Sequence, residues 1–427
     1  MKIAIVAFGV EGQASYEYYS KDPTNDITIF DQNPDLIAPE GVKTVLGPDA
    51  FTHLEDYDLI LRSPPIAPDS LHTQGKIWSV TNEFFAQCPA DIIGVTGSKG
   101  KGTTSSLIAS ILEAAGYKVW LLGNIGIPAL SVLDQIQADD IVVYELSSFQ
   151  LWDLQKSPST AVVLFIEQEH LDVHKDMADY VAAKANIAKH QTTSDILIYN
   201  RENEYATSIA QSSSAIKIGY PGSLTTHLKD DSFYNGEQFL CSTDALQLKG
   251  QHNLSNATAA IDAIWKYTQD PLCIEAGLRA FKGLPHRLSY VTTVDGVDYY
   301  DDSIATTPAS AIAALRAFDQ PKVIILGGSS KGSDFSELAQ ELLKHEVQAI
   351  LIGDEAPVIA SALEAAGFTS FETIEQATAT TFVEKAHELA TPGSVVLLSP
   401  SAASFGLFKN YADRGDQFTA AVRALVG

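Results

Sequence analysis

The stretch Thr96-Gly97-Ser98-Lys99-Gly100-Lys101-Gly102-Thr103-Thr104 constrains this chain more than any other. It lies between a β-branched apolar run at 92–95 and a helix-like stretch at 105–115 that Gly116 closes. Strand, glycine loop and helix in that order make a cradle for phosphate, because loop N–H groups and the helix N-terminus converge on an anion. Lys101 would neutralise the β- and γ-phosphates. The pattern is T-G-x-x-G-K-x-T rather than G-x-x-x-x-G-K-[ST]. Val95 stands five before Gly100, and Gly102 follows Lys101. A hydroxyl for Mg²⁺ must therefore come from Thr103 or Thr104. A bland helix-capping loop would not need two lysines, three glycines and four hydroxyls in nine residues.

Further apolar runs at 119–122, 141–145 and 161–165 read as buried parallel strands of the same unit. Glu145 ends one of them, at the carboxyl edge where open α/β sheets hold their ligands. His170 follows another at the same edge. Residues 219–248 are polar and alternating, which suggests a small antiparallel patch. Upstream, strands at 2–8, 27–30 and 59–61 open a doubly wound fold. Gly9-Val10-Glu11-Gly12 forms the first turn, and Asp31 sits at a strand end about 20 residues on. Downstream, strands at 322–326, 349–352 and 394–398 alternate with helical spacers. The expected architecture is α/β throughout: three consecutive domains with mainly parallel sheets, at 1–90, 91–283 and 284–427.

Bulk properties narrow the function. There are 28 basic and 53 acidic residues, net −25, and such a field repels nucleic acid and anionic membranes. Cys88, Cys241 and Cys273 lie far apart, so neither a zinc site nor a disulfide framework is indicated. No signal peptide and no run of about 18 apolar residues is present, and a cytoplasmic protein is expected.

Ten segments occur together in order: TGSKGKGTT (96–104), GNIGIPAL (123–130), YELSSFQL (144–151), EHLDVH (169–174), YVAAKANI (180–187), GQHNLSNATAA (250–260), GLPHRL (283–288), DDSIATTP (301–308), LGGSSKGSDF (326–335) and SPSAASFGLFKNYADRGDQF (399–418). Their order and spacing, over essentially the whole chain, resemble the Mur ligases. GNIG, ELSSFQL and GLPHR resemble the MurD branch, which adds glutamate to UDP-N-acetylmuramoyl-alanine. The resemblance implies a cytoplasmic, monomeric, ATP- and Mg²⁺-dependent ligase. ATP converts a carboxylate into an acyl phosphate, and the amine of the amino acid attacks it.

Residue by residue, the resemblance implies that Gly97, Gly100, Lys101, Gly102, Thr103 and Thr104 hold ATP phosphates. Glu145, His170 and Thr103 would be Mg²⁺ ligands, with Lys184 as a carbamate. Periodicity alone gives no reason to choose Lys184. Asn253 and Asn256 would contact adenine, while Arg287 and Asp302 would contact phosphate and ribose. Gly9, Gly12, Asp31, Asn124 and Ser147 would serve the UDP-linked substrate. Thr306, Lys331, Ser404 and Tyr411 would serve the glutamate, Lys331 as the cation its side-chain carboxylate needs.

Three positions depart from the pattern. Ile304 stands where a lysine is usual, and Lys99 is an added cation in the loop. In both respects the chain resembles a MurD variant branch that adds L-glutamate instead of D-glutamate, and the resemblance leaves the enantiomer open. Glu11 puts an acid in the turn expected near a diphosphate, so its side chain either points to solvent or reads uracil or ribose. A folylpolyglutamate-synthase-like ligase shares the G-K-G loop, but the first domain argues against it. Retained Lys101, Glu145, His170, Lys184 and Asp302 argue against a non-catalytic nucleotide-binding protein.

Overall fold

The computed structural model describes residues 1–171, 173–248, 250–330, 332–404 and 406–425. The chain divides into two compact units, one of residues 1–247 with 251–281, the other of 248–250 with 282–427.

The first unit holds two parallel sheets. In the first, the strands run in the order Lys43–Leu46, Asp26–Asp31, Lys2–Val6, Leu59–Arg62, Lys76–Ser79. The connections reverse direction between Lys2–Val6 and Leu59–Arg62, and ligands bind above the carboxyl ends at such a switch point. The first strand stops at Val6, two residues short of the sequence expectation. Ala7, at φ +68°, then turns the chain into the helix Val10–Tyr19.

The second sheet has six parallel strands in the order Ile216–Tyr220, Ile196–Asn200, Thr160–Val163, Asp91–Thr96, Ile141–Glu145, Val119–Gly123. Helices cover both faces, so Ile141–Glu145 is buried along its whole length. The strand Asp91–Thr96 is central, flanked by the strands that end at Glu145 and Val163. Tyr144 packs its ring against Phe84 and Phe85 of the helix Val80–Gln87, at 5.4 and 5.3 Å between centroids. Each such buried aromatic contributes about 1.5–3 kcal/mol. The polar stretch after Gly219 folds into a three-stranded antiparallel sheet, Thr226–Lys229, Ser232–Asn235 and Gln238–Ser242.

The second unit is a six-stranded sheet in the order Ser289–Val294, Val297–Asp301, Val395–Leu398, Lys322–Gly327, Val347–Ile352, Phe371–Ile374. All its pairs are parallel except the first, a hairpin turned by Asp295 and Gly296, both at positive φ. Among the described residues, no helix is long and apolar enough to cross a membrane.

Candidate active site

The glycine loop follows the central strand because its backbone leaves no room for side chains. Gly97 has φ +158°, and a Cβ there would lie 2.7 Å from Leu164 Cβ. Gly100 has φ +86° and caps the helix Lys101–Ala114, with Asn256 packed against it. Ser98 fastens the loop to the next strand end. Its N–H donates to Phe165 O at 2.9 Å, and its hydroxyl meets Tyr180 Oη at 2.9 Å. Glu167 N–H donates to Ser98 Oγ at 3.0 Å. Lys101 folds back over the loop, donating to Gly97 O at 3.0 Å and Ser98 O at 2.8 Å. Lys99 reaches sideways to Glu167 at 2.5 Å. Gly102, Thr103 and Thr104 form the buried first turn of the helix, and Thr104 Oγ1 has no hydrogen-bond partner among the described residues.

Lys184 lies under this loop. The helix Met177–Lys189 turns it inward, 1% exposed, with Nζ donating to Gly97 O at 2.9 Å. Nζ also stands 4.6 Å from the centre of the Tyr180 ring. Burial, reinforced by the neighbouring Lys101 ammonium, holds this amine well below the ordinary lysine range; Glu169 and Glu145 oppose the shift. A lowered pKa raises the share of neutral amine, which is the form carbamylation requires.

Glu145 is 4% exposed, and Asn124 Nδ2 donates to its Oε1 at 3.2 Å. Ser147 caps the short helix Ser148–Leu151 through a reciprocal pair with Gln150. His170 adopts φ +57° and leans on Phe149, with 4.9 Å between ring centroids. Among the described residues, no group of three or more His, Cys, Asp and Glu is arranged to hold a metal by itself. The donors at this edge nevertheless suit Mg²⁺, which takes one or two carboxylates and completes its shell with phosphate oxygens and water. Asn253 and Asn256 share the helix Gln251–Ile264, and Asn256 Nδ2 donates to Asn253 Oδ1 at 3.4 Å. Asn256 therefore touches the phosphate loop itself, at Gly100, besides any contact with a base.

At the first sheet, Gly9 caps the helix Val10–Tyr19, and a Cβ on Gly12 would overlap Ala7 O. Asp31 braces the turn, its Oδ2 accepting the Phe8 N–H at 2.7 Å. A cleft of about 530 Å³ is lined by Phe8, Gln13, Tyr16, Glu17, Ile37, Ala38 and Pro39, and Gly9, Gly12 and Asp31 are not among its lining residues.

In the second unit, Asp302 accepts from Leu288 N–H at 3.0 Å and Ser399 Oγ at 2.7 Å, and burial lifts its carboxyl to about 7. Arg287 is exposed and Thr306 half-buried, while Ser404 is buried. Tyr411 begins the last helix, edge-on to His286 at 6.2 Å. Lys331 lies outside the described residues. Ile304 is half-buried, its N–H donating to His286 O at 3.0 Å.

Sequence reasoning passed over four residues that hold these parts in place. Arg62, fully buried, pairs with Asp153 and donates to Phe149 O, tying the first sheet to the Ser148–Leu151 helix. Gln150 fixes Ser147. His174 bridges Asp179 at 2.9 Å and Ser148 at 3.0 Å. Arg414 is 0% exposed and donates to Ser303 O and to Ala402 and Ala403 O, which joins the 301–306 and 399–404 loops. Gln150, His174 and Arg414 all lie inside motifs already singled out. For Gln150 the signal was a polar residue in a segment that is otherwise mostly buried, whereas the segments of His174 and Arg414 are largely exposed and give no such signal.

Comparison with known proteins identifies the family. Residues 95–264 match the Mur ligase middle domain, and residues 286–402 match the Mur ligase glutamate ligase domain. A UDP-N-acetylmuramoylalanine–D-glutamate ligase of Clostridium tetani is 34% identical over 99% of this chain and 97% of its own. One of Clostridium kluyveri is 36% identical over 98% and 95%. The crystal structure of the UDP-N-acetylmuramate-alanine ligase of Thermotoga maritima superposes with a TM-score of 0.60 at 17% identity, covering 99% of both chains. With relatives this similar along its whole length, the chain belongs to the Mur ligase family.

Proposed function

We propose that this protein ligates D-glutamate to UDP-N-acetylmuramoyl-L-alanine at the expense of ATP, in the synthesis of peptidoglycan precursors. The observation that carries the chemistry is the carboxyl edge of the six-stranded sheet, where a phosphate loop, Glu145 and a fully buried Lys184 come together. The full-length relatives, named as D-glutamate ligases, supply the substrates and favour the D over the L enantiomer.

In this reading the regions 1–90, 91–283 and 284–427 hold the UDP-sugar, ATP and amino acid in turn. The helix N-terminus after Gly100 and the Lys101 ammonium hold the nucleotide phosphates and withdraw charge as the terminal phosphoryl group moves to the alanyl carboxylate. Lys101 leaves its two loop carbonyls to do so. Glu145, His170, the Thr103 hydroxyl and a carbamate on Lys184 would hold Mg²⁺, which neutralises phosphate charge when bound. The glutamate amine attacks the acyl phosphate, phosphate leaves, and an amide remains. Arg287 and Asp302 serve ATP, and Asn124 and Ser147 the muramoyl-alanine end. Thr306, Lys331, Ser404 and Tyr411 serve the glutamate. The cleft between Phe8, the helix Val10–Tyr19 and residues 37–39 has room for a nucleobase. The enzyme works as a cytoplasmic monomer, without nucleic acid or membrane partners.

The test is phosphate release from ATP with UDP-N-acetylmuramoyl-L-alanine and a panel of amino acids. Release with D-glutamate is expected. No release with any amino acid refutes the ligase reading, and release with L-glutamate alone moves the chain to the variant branch.

A further inference from the structure

Glu11 is an acid in the turn where an anionic substrate is expected, and the structure gives it a task. It lies in the first turn of the helix Val10–Tyr19, and its Oε1 accepts Gln150 Nε2 at 3.3 Å. Its Oε2 is buried without a hydrogen-bond partner among the described residues. Gln150 is committed on its other side. Its Oε1 accepts both the N–H and the hydroxyl of Ser147, each at 3.0 Å, while its own N–H returns to Ser147 Oγ at 3.3 Å. Two donors on Oε1 fix which way the amide faces. Nε2 must then point at residue 11, and residue 11 must offer an acceptor.

We propose that Glu11 is a positioning residue: through Gln150 it fixes the Ser147 hydroxyl beside Glu145, making the first-sheet turn and the edge where the acyl phosphate forms one hydrogen-bonded unit. This rests on the ligase reading of that edge. A direct contact of Glu11 with the nucleotide fits the structure less well, because the spare oxygen is covered rather than turned to solvent. Burial lifts the Glu11 carboxyl to about 7, against the Gln150 hydrogen bond and the Arg62 attraction, while the buried Tyr144 hydroxyl also feels the Glu11 charge. Glutamine at this position can present the same acceptor without a charge.

The experiment compares Glu11→Ala, Glu11→Gln, Gln150→Met and the double variant Glu11→Ala/Gln150→Met. Assays use UDP-N-acetylmuramoyl-L-alanine, ATP and D-glutamate, with thermal unfolding to check folding. A buried donor left without its acceptor predicts about a ten- to hundredfold fall in kcat for Glu11→Ala. The same fall is expected for Gln150→Met, and the double variant should be no worse than either single one. Glu11→Gln should restore kcat to within about threefold, as conservation of the acceptor requires. If Glu11→Ala does not fold, Gln150→Met carries the test alone, and wild-type kcat in it overturns the inference. A rise only in KM for the UDP substrate, or losses that multiply in the double variant, also overturns it and leaves the ligase reading standing. A wild-type protein without turnover on any amino acid overturns both.

Discussion

Gly100→Ala should weaken nucleotide binding by an amount that follows from two separable terms. The residue sits at φ +86° and ψ −12°, a left-handed conformation. For a residue with a Cβ this costs about 1–2 kcal/mol. The new methyl would also overlap Asn256 Oδ1 and press on that residue's Cγ and Nδ2, at 3.1 and 3.3 Å. Asn256 would have to swing away and lose its hydrogen bond to Asn253, worth about 1 kcal/mol. The sum is about 2–3 kcal/mol, or a factor of about 30–150. If the loop keeps its shape the loss appears in stability. If it relaxes, the loss appears in ATP affinity. Calorimetric titration with ATP and thermal unfolding on the same variants measure both. In an Asn256→Ala background, where the Asn253 hydrogen bond is already gone and the methyl displaces nothing, Gly100→Ala should cost only the backbone part of about 1–2 kcal/mol relative to Asn256→Ala alone. Unchanged affinity together with unchanged stability in Gly100→Ala would refute the reasoning, and so would a Gly100→Ala substitution without cost in the Asn256→Ala background.

Two further outcomes follow from buried ionisable groups. Lys184→Met fills the same space without the amine, so the protein should fold while kcat falls by about a hundredfold or more. In Lys184→Ala, added acetate should restore part of the rate, and full activity in either variant would remove Lys184 from the mechanism. Asp302 has its folded pKa raised from 3.8 to about 7, so the folded state binds a proton that the unfolded state has released. Its contribution is complete below about pH 4 and is lost as pH rises towards 7, by about 4 kcal/mol at most. Asp302→Asn keeps an acceptor for Leu288 N–H and should flatten the pH dependence of thermal unfolding in that window; an unchanged slope would contradict the assignment.

What the sequence made legible is what local chemistry writes locally. The glycine loop, the acid closing Ile141–Glu145 and the turn after the first strand each rest on a few neighbouring residues and stand where expected. Short, half-exposed edge strands such as Lys43–Leu46 and Phe371–Ile374 carry no apolar run and went unread. The hairpin of the second unit was readable in principle: Asp295-Gly296, at φ +49° and +78°, is the dipeptide that a tight hairpin turn prefers. Lys184 was hidden for another reason. A lysine amid alanines on an amphipathic helix reads as surface, because pattern does not register what lies opposite. Here Gly97 O lies opposite, with the Tyr180 ring one turn back on the same helix, and the same burial that makes the residue look misplaced pushes its amine below the ordinary lysine range. Arg62 and Gln150 repeat the lesson at longer range, since their partners Asp153 and Glu11 stand 91 and 139 residues away in the chain. A polar side chain gains a role only once folding has supplied both its partner and its dry surroundings. In a site of this kind, a polar residue inside an otherwise buried motif is therefore the one to test first.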